Sequence, residues 1–426
     1  MKTSALKSIL SSSIGNVIEW YEYTLYAYFA IIITKLFFPL DNHFVAMILT
    51  FSTFAVGLAA RPIGGIIFGY IGDRISRKKS LTITMLMMSI PTMCIGLLPT
   101  YAEIGIAAPI VLVLLRITQG IALGGEFGSS CVYLYESVSE NKRGFFGCLA
   151  LTGAGTGLVL SALTIFIVES YVSEEQLYTV AWRIPFFISV VGGFIALYMR
   201  THLLEPEDFI KAKTQERLVQ NPFMMMLTTQ KRNLLKLFAI FLTTQVSFFV
   251  VFIYGKTMMI NGLGFSSKDA GKFNLITVLS YTISTLIFGY LSDKVNKRSI
   301  ILLGCVGLFF SAYPFISILK AGDGSAILVM SILMGILIGM TEGTLNPVVA
   351  ETFPVNIRAT SVAFCWNFTA VSFGAVAPII SMGLIESFGV ASVAYYLMTV
   401  CIISITSLIF QLNGVVVKPR PVTNKI

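Results

Sequence analysis

Charge is what this chain has least of. Asp, Glu, Lys and Arg make up 12% of its 426 residues, apolar residues 56%, and the mean hydropathy is +0.83. A soluble fold of this length would not have the polar residues to cover its surface, which excludes water as the main solvent. Histidine is nearly missing: His43 and His202 are expected on opposite sides of a membrane, so they cannot share a ligand. The six cysteines (Cys94, Cys131, Cys148, Cys305, Cys365, Cys401) show no C-x-x-C spacing and fall inside or at the ends of apolar runs. They read as small apolar fillers, not as disulfides or a metal site. Short segments of alternating polarity are absent, which excludes a membrane β-barrel. No nucleotide loop and no nucleophile–base constellation is present, so neither an enzyme nor a cofactor is expected.

What is present is a series of long apolar runs. Twelve stretches reach the roughly 20 residues a membrane-spanning helix needs, from Ile14–Phe38 to Val393–Leu412. The first is too long for a signal peptide and lacks a small-residue cleavage site, so it is expected to be retained. The expected organisation is an all-α membrane protein: a six-helix bundle over 1–200, a polar cytoplasmic linker over 201–232, a second bundle over 233–413 and a short cytoplasmic tail over 414–426. The net charge of +9 does not point to nucleic acid, because of where the cations sit. They crowd the segments on one side of the runs (Lys2, Lys7, Arg74–Lys79, Lys142, Arg143, Arg200 and the linker), while the opposite loops hold Asp41, Glu103, Glu169, Glu174, Glu175, Asp323 and Glu386. That bias places both termini in the cytoplasm.

The two halves repeat. Ile67–Lys78 (IFGYIGDRISRK) recurs as Ile287–Arg298 (IFGYLSDKVNKR), setting Gly69 opposite Gly289, Asp73 opposite Asp293 and Arg74 opposite Lys294. Gly120, Gly124 and Gly128 recur as Gly335, Gly339 and Gly343, and Glu136 with Arg143 recurs as Glu351 with Arg358. Tandem six-helix repeats are a known transporter architecture. Glycines four apart line one helix face and let a neighbouring backbone approach. A carboxylate at a helix end among cations can latch one half to the other through charge-assisted bonds. Asp73, Arg74, Glu136, Arg143, Asp293, Lys294, Glu351 and Arg358 are the candidate gating residues, with Glu136–Arg143 and Glu351–Arg358 as candidate pairs.

The G-x-x-x-D-R/K loops, the helix count and the duplication resemble the major facilitator superfamily across essentially the whole chain. Ser76 and Asn296 stand where that family often has a second glycine. A narrower set of segments is similar to the metabolite:proton symporter branch, which includes proline/betaine, α-ketoglutarate, citrate and shikimate carriers. It comprises Gly15–Tyr23 (GNVIEWYEY), Ala60–Gly65 (ARPIGG), Arg116–Gly120 (RITQG), Gly124–Gly128 (GGEFG), Trp182–Phe186 (WRIPF) and Leu204–Pro206 (LEP). Glu22 replaces the Asp of many members, and the tail lacks the heptad extension of the osmosensing proline/betaine members. The resemblance implies inner-membrane location, alternating access and proton-driven uptake.

Charges inside spans are the remaining signal, since each costs about 2.5–3.5 kcal/mol at mid-bilayer. Glu19, Glu22, Arg61, Arg116, Glu126 and Glu342 qualify. Glu19 and Glu22 share a helix face with Tyr23 and Tyr26 nearby. Two close buried carboxylates resist being ionised together, so Glu19, Glu22 and Glu126 are the proton-coupling candidates, Glu22 and Glu126 foremost. The alternative is that these acids only hold helices together through an ion pair with Arg116. Arg116 suits a substrate carboxylate, and Tyr23, Tyr26, Gln119, Trp366 and Asn367 join it as candidate binding residues. Arg61, beside Pro62 and Gly64–Gly65, is assigned to gating, and Arg183 begins a span near the outer face. The expected function is proton-coupled symport of a small carboxylate-bearing or zwitterionic metabolite by a functional monomer embedded in lipid. A solute-sensing receptor and a metabolite exchanger are the competing readings.

Overall fold

The computed structural model of the chain describes residues 3–136, 138–201, 222–354 and 357–412, with the side chains of 3–11, 72–74, 77, 201, 411 and 412 outside the description. Among the described residues twelve long helices carry the fold, and no strand occurs. In the first half α1 (Thr3–Tyr28) resumes after Phe29 as Ala30–Phe37, and α2 (His43–Ala59) resumes as Arg61–Arg74. They are followed by α3 (Arg77–Leu97), α4 (Ala107–Glu136), α5 (Leu149–Tyr171) and α6 (Ile184–Thr201). The second half holds α7 (Lys231–Phe248, continuing to Gly262), α8 (Ser267–Leu291), α9 (Lys297–Ala321), α10 (Gly324–Thr352), α11 (Arg358–Thr369, continuing to Phe388) and α12 (Ser392–Leu412). Eleven candidate spans are long and apolar enough to cross a membrane. The one left out is α1, whose hydropathy is lowered by Asn16, Glu19 and Glu22. It instead packs deep in the first bundle, with both acids buried.

Side-chain caps set the helix starts. Asn42, Ser266 and Asp323 accept backbone N–H bonds at the starts of α2, α8 and α10. Hydrogen bonds from the Ser325 side chain and the first-turn amides hold the Asp323 carboxyl below its ordinary range. Ser76 and Asn296 are caps as well, accepting from the amides of Lys79 and Arg298 to open α3 and α9. The departures from glycine therefore trade loop freedom for a defined helix start.

The repeated glycines are packing devices in both halves. A Cβ at Gly120 or Gly124 would run into the backbone carbonyl of Gly57 or Arg61, so these glycines lay α4 directly on α2. Gly335, Gly339 and Gly343 lay α10 on α8 in the same way, against Thr277, Tyr281 and Thr285. Gly128 instead meets Ala363 of α11, across the bundle interface.

Most of the central connector, 202–221, lies outside the described residues, as does the tail from 413. The end of the connector is not the solvated polar segment expected over 201–232. Pro222–Thr229 is a helix whose Met226 is fully buried and whose Phe223 ring packs 5.6 Å from Phe364 of α11. The apolar run Phe223–Leu227 supplies the reason, since it can bury itself only by docking on the second bundle.

Candidate functional site

Two helices lose regular winding, in three one-turn segments. α7 contains one-turn π segments at Phe249–Ile253 and Met258–Gly262, and α11 one at Ala370–Ala375. Such turns free backbone groups and recur at functional sites. Phe249 and Ala370 both line a cavity of about 20 Å³ at the bundle interface, room for about one water molecule. Trp20 and Phe127 wall it from the first bundle, Phe248 and Trp366 from the second, with ring centroids 5.9 Å apart for Trp20–Phe127, 5.6 Å for Trp20–Phe248 and 5.1 Å for Phe127–Trp366. Two ionisable side chains of opposite type reach it: Arg61 from α2 and Glu342 from α10. The Tyr281 hydroxyl donates to Glu342 Oε2 at 2.6 Å. The indole N–H groups of Trp20 and Trp366 are buried without a hydrogen-bond partner among the described residues.

Arg61 also ties the bundles together. Its Nε donates to Asn367 Oδ1 of α11 at 3.0 Å, and Asn367 Nδ2 donates to the Gly124 carbonyl of α4 at 2.8 Å. Asn367 is thus occupied by the opposite bundle, while its neighbour Trp366 faces the cavity.

The first bundle holds a second polar layer away from this cavity. Arg116 is fully buried, with its guanidinium 4.4 Å from the Tyr23 ring, 4.6 Å from Tyr26 and 5.3 Å from Phe54. Nη1 donates to Gln119 Oε1 at 2.8 Å, and Nε and Nη2 have no hydrogen-bond partner among the described residues. Glu22, 1% exposed, accepts from Ser89 Oγ at 2.9 Å and Thr92 Oγ1 at 3.3 Å. Both oxygens of Glu19 are buried without a hydrogen bond among the described residues, in the field of Glu126, Arg61, Arg200 and Glu22.

Glu126 is not partnered by Arg116. Its ion pair is with Arg200, which also donates to the Leu81 carbonyl and has no exposed surface, and Thr84 adds a bond at 2.6 Å. Arg200 therefore departs from its expected place among the solvated cytoplasmic cations. Standing at the end of α6, it folds back into the bundle over Gly15, where any Cβ would overlap its guanidinium. Arg183, near the outer face, donates at 2.8 Å to the carbonyls of Gly96 and Leu98.

Glu136, Arg358 and Asp293 pair across the halves, whereas Glu351, Arg143 and Lys294 find partners within their own half. On the face holding the start of α1 and the end of α12 (the terminal face), Arg358 donates to Glu136 of the other bundle at 2.9 Å. Glu351 is bound by Lys297, and Arg143 reaches Glu140 at 3.4 Å and lies over the Tyr135 ring. The expected pairs Glu136–Arg143 and Glu351–Arg358 do not form, because each half-repeat presents its acid to a cation from a different helix. Asp293 accepts from the backbone amides of Gly144 and Phe145 in the first bundle, at 2.6 and 2.9 Å, while Lys294 lies over Tyr290. The side chains of Asp73 and Arg74 lie outside the described residues. The far face has a closure that the sequence did not reveal: Lys256 of α7 binds both oxygens of Glu169 of α5 at 2.8 and 2.9 Å, and Ser267 adds a third bond at 3.0 Å. A lysine near one span's end and a glutamate near another's carry no spacing signal that would pair them.

Comparison with known proteins is consistent along the whole chain. The sequence model described as Major Facilitator Superfamily matches residues 13–378. A proline/betaine transporter of Salmonella typhimurium is 32% identical over 410 residues, covering 94% of this chain and 82% of that one. An inner membrane metabolite transport protein of Escherichia coli is 33% identical, covering 92% and 90%. A glycine betaine/proline/ectoine/pipecolic acid transporter of Dickeya dadantii is 29% identical, covering 95% and 83%. Among solved structures, a D-xylose–proton symporter superposes with a TM-score of 0.76 at 16% identity, over 97% of this chain and 98% of that one. A partially occluded, inward-open xylose transporter of E. coli gives 0.73 at 17% identity, over 97% and 98%. These structural likenesses are of fold.

Proposed function

The chain belongs to the major facilitator superfamily, a family of membrane transporters and not of enzymes, and from that premise we propose that it carries a small zwitterionic metabolite inward together with a proton. The observation that carries the reading is a guanidinium and a carboxyl group on one cavity, Arg61 from the first bundle and Glu342 from the second, between aromatic walls. A substrate carboxylate matches the planar donors of Arg61 and the unpartnered indole N–H groups. Its ammonium matches Glu342 and the faces of Trp20, Phe127, Phe248 and Trp366. Proline and glycine betaine, the substrates for which relatives of this chain are named, have both a carboxylate and an ammonium group.

Binding would also move the bundles. A carboxylate that takes Arg61 competes with Asn367, so substrate loosens the contact that joins α2 to α11. The cavity has to widen from its present 20 Å³ to admit a metabolite, which the aligned closures on both faces permit one at a time. Alternating access follows if the Glu136–Arg358 and Asp293 bonds open one face and Lys256–Glu169 the other. The cation bias makes the terminal face cytoplasmic, in a bacterial inner membrane such as that of the E. coli relative. Among the candidate proton carriers, Glu126 is committed to Arg200, whereas the donors Glu22 meets among the described residues are hydroxyls, which serve either protonation state. Glu22 is the coupling acid in this reading.

The test is uptake into proteoliposomes under an imposed proton gradient, with radiolabelled proline, glycine betaine, a dicarboxylate and a pentose. Proline or glycine betaine should accumulate, and Glu342→Gln should cut that accumulation about tenfold or more. Accumulation of the dicarboxylate or pentose alone, untouched by Glu342→Gln, refutes the zwitterion site.

A further inference from the structure

Glu22 and Arg116 sit in the same polar layer, yet among the described residues no hydrogen bond or ion pair joins them. What connects them is a chain of two side chains. Glu22 Oε2 is 3.3 Å from Thr92 Oγ1, Thr92 Oγ1 is 2.7 Å from Gln119 Nε2, and Gln119 Oε1 is 2.8 Å from Arg116 Nη1. Thr92, Gln119 and Arg116 have no exposed surface.

The donor inventory fixes most of the protons in this chain. A guanidinium can only donate, so the Gln119 carbonyl must face Arg116 and its NH₂ must face Thr92. Thr92 therefore always accepts from Gln119. It keeps one hydrogen and one lone pair, and its hydrogen has two acceptors in reach: Glu22 Oε2 at 3.3 Å and the Met88 carbonyl at 2.9 Å. While Glu22 is ionised it can only accept, so the Thr92 hydrogen points at it. All bonds then run one way, from Arg116 through Gln119 and Thr92 to the carboxylate, charge-assisted at both ends and mutually polarising. When a proton arrives on Glu22 Oε2, that O–H donates to the Thr92 lone pair and the Thr92 hydrogen turns to Met88. The chain is now broken at Thr92, which accepts from both sides, and no proton has travelled beyond Glu22.

We propose that Thr92 is a positioning residue for coupling: its hydroxyl reports the protonation state of Glu22 to Arg116 by switching between donor and acceptor. The inference rests on the reading of Glu22 as the proton carrier. Its consequence reaches the bundle interface, because Arg116 lies beneath Tyr23 and Phe54, and Phe54 packs 6.2 Å from Phe249 of α7. The ionised state holds the guanidinium back towards Gln119, and the protonated state releases it to the aromatic layer that faces the second bundle.

Thr92→Val keeps the shape and removes donor and acceptor, and Thr92→Ser restores both. The experiment compares proton-gradient-driven uptake with counterflow of the preferred zwitterion in proteoliposomes, with Glu22→Gln alongside. Expected for Thr92→Val is a loss of driven uptake of about tenfold or more with counterflow within about twofold of wild type, and recovery of uptake in Thr92→Ser. Wild-type driven uptake in Thr92→Val, or equal loss of uptake and counterflow that Thr92→Ser does not relieve, overturns the relay. If Glu22→Gln uncouples while Thr92→Val does not, only the relay falls. If Glu22→Gln remains coupled, or wild type accumulates no zwitterion, the underlying reading falls and the relay with it.

Discussion

Replacing Lys256 with Met should open the far face. The pair it forms with Glu169 is 7% and 9% exposed, and Ser267 completes the carboxylate's bonds. Removing one member of a buried pair leaves an uncompensated charge and costs about 3–5 kcal/mol. In a two-state carrier that cost falls on the closed arrangement alone, because opening the far face returns Glu169 to water. The closed-to-open equilibrium should then shift by the same amount, a factor of about 150 or more at the lower bound. The assay is labelling of a cysteine introduced at the cavity wall, Ala370→Cys in a cysteine-free background, by a membrane-impermeant maleimide in vesicles of known sidedness. Lys256→Met should speed labelling from the far face by tens-fold or more, and Lys256→Met with Glu169→Leu should return most of the way to the parent, since no charge is then stranded. An unchanged rate in the single variant refutes the view that this pair closes the face, and acceleration from the terminal face would place the closure on the wrong side.

Three further outcomes follow from the packing and the charges. Arg200→Met should destabilise the first bundle by about 3–5 kcal/mol, because Glu126 is left buried without its cation; thermal unfolding in detergent reads this, and Arg200→Met with Glu126→Leu should recover part of it. Gly64→Ala pushes a methyl into the Ile121 backbone and should cost about 1–3 kcal/mol, whereas Gly69→Ala meets nothing within 4 Å and should stay within about 0.5 kcal/mol of wild type. Asp293→Asn removes the charge from two interbundle bonds and should raise labelling of the cavity cysteine from the terminal face about tenfold.

The sequence revealed the fold because its signals were long and redundant. Twelve apolar runs, the duplicated Gly69–Asp73 and Gly289–Asp293 loops and the repeated glycines all point to the same paired bundles. The glycines of α4 and α10 even predicted close packing that the structure places on α2 and α8. The site was legible only in part. Charge inside a span identified Glu19, Glu22, Arg61, Arg116 and Glu126, but sequence spacing says nothing about which helix faces which. Glu126 therefore looked available to Arg116, although its cation, Arg200, stands at the end of α6 and reads as a topology residue. Glu136 and Arg358 each looked paired within their own half, whereas the bond runs between halves. Ser89, Thr92 and Tyr281 gave no signal at all, since hydroxyls are common in membrane helices and bond most often to their own backbone. Glu342 was deep and charged, and only the packing of α10 against α8 turned it towards the cavity.

The central claim is that a zwitterion and a proton cross together, and it is tested most directly by proton movement itself. In lightly buffered proteoliposomes without an imposed gradient, adding the transported zwitterion outside should alkalinise the external medium as protons follow it inward. Glu22→Gln should abolish that signal while retaining counterflow. No alkalinisation on substrate addition to an actively transporting wild type, or an undiminished signal in Glu22→Gln, contradicts the account.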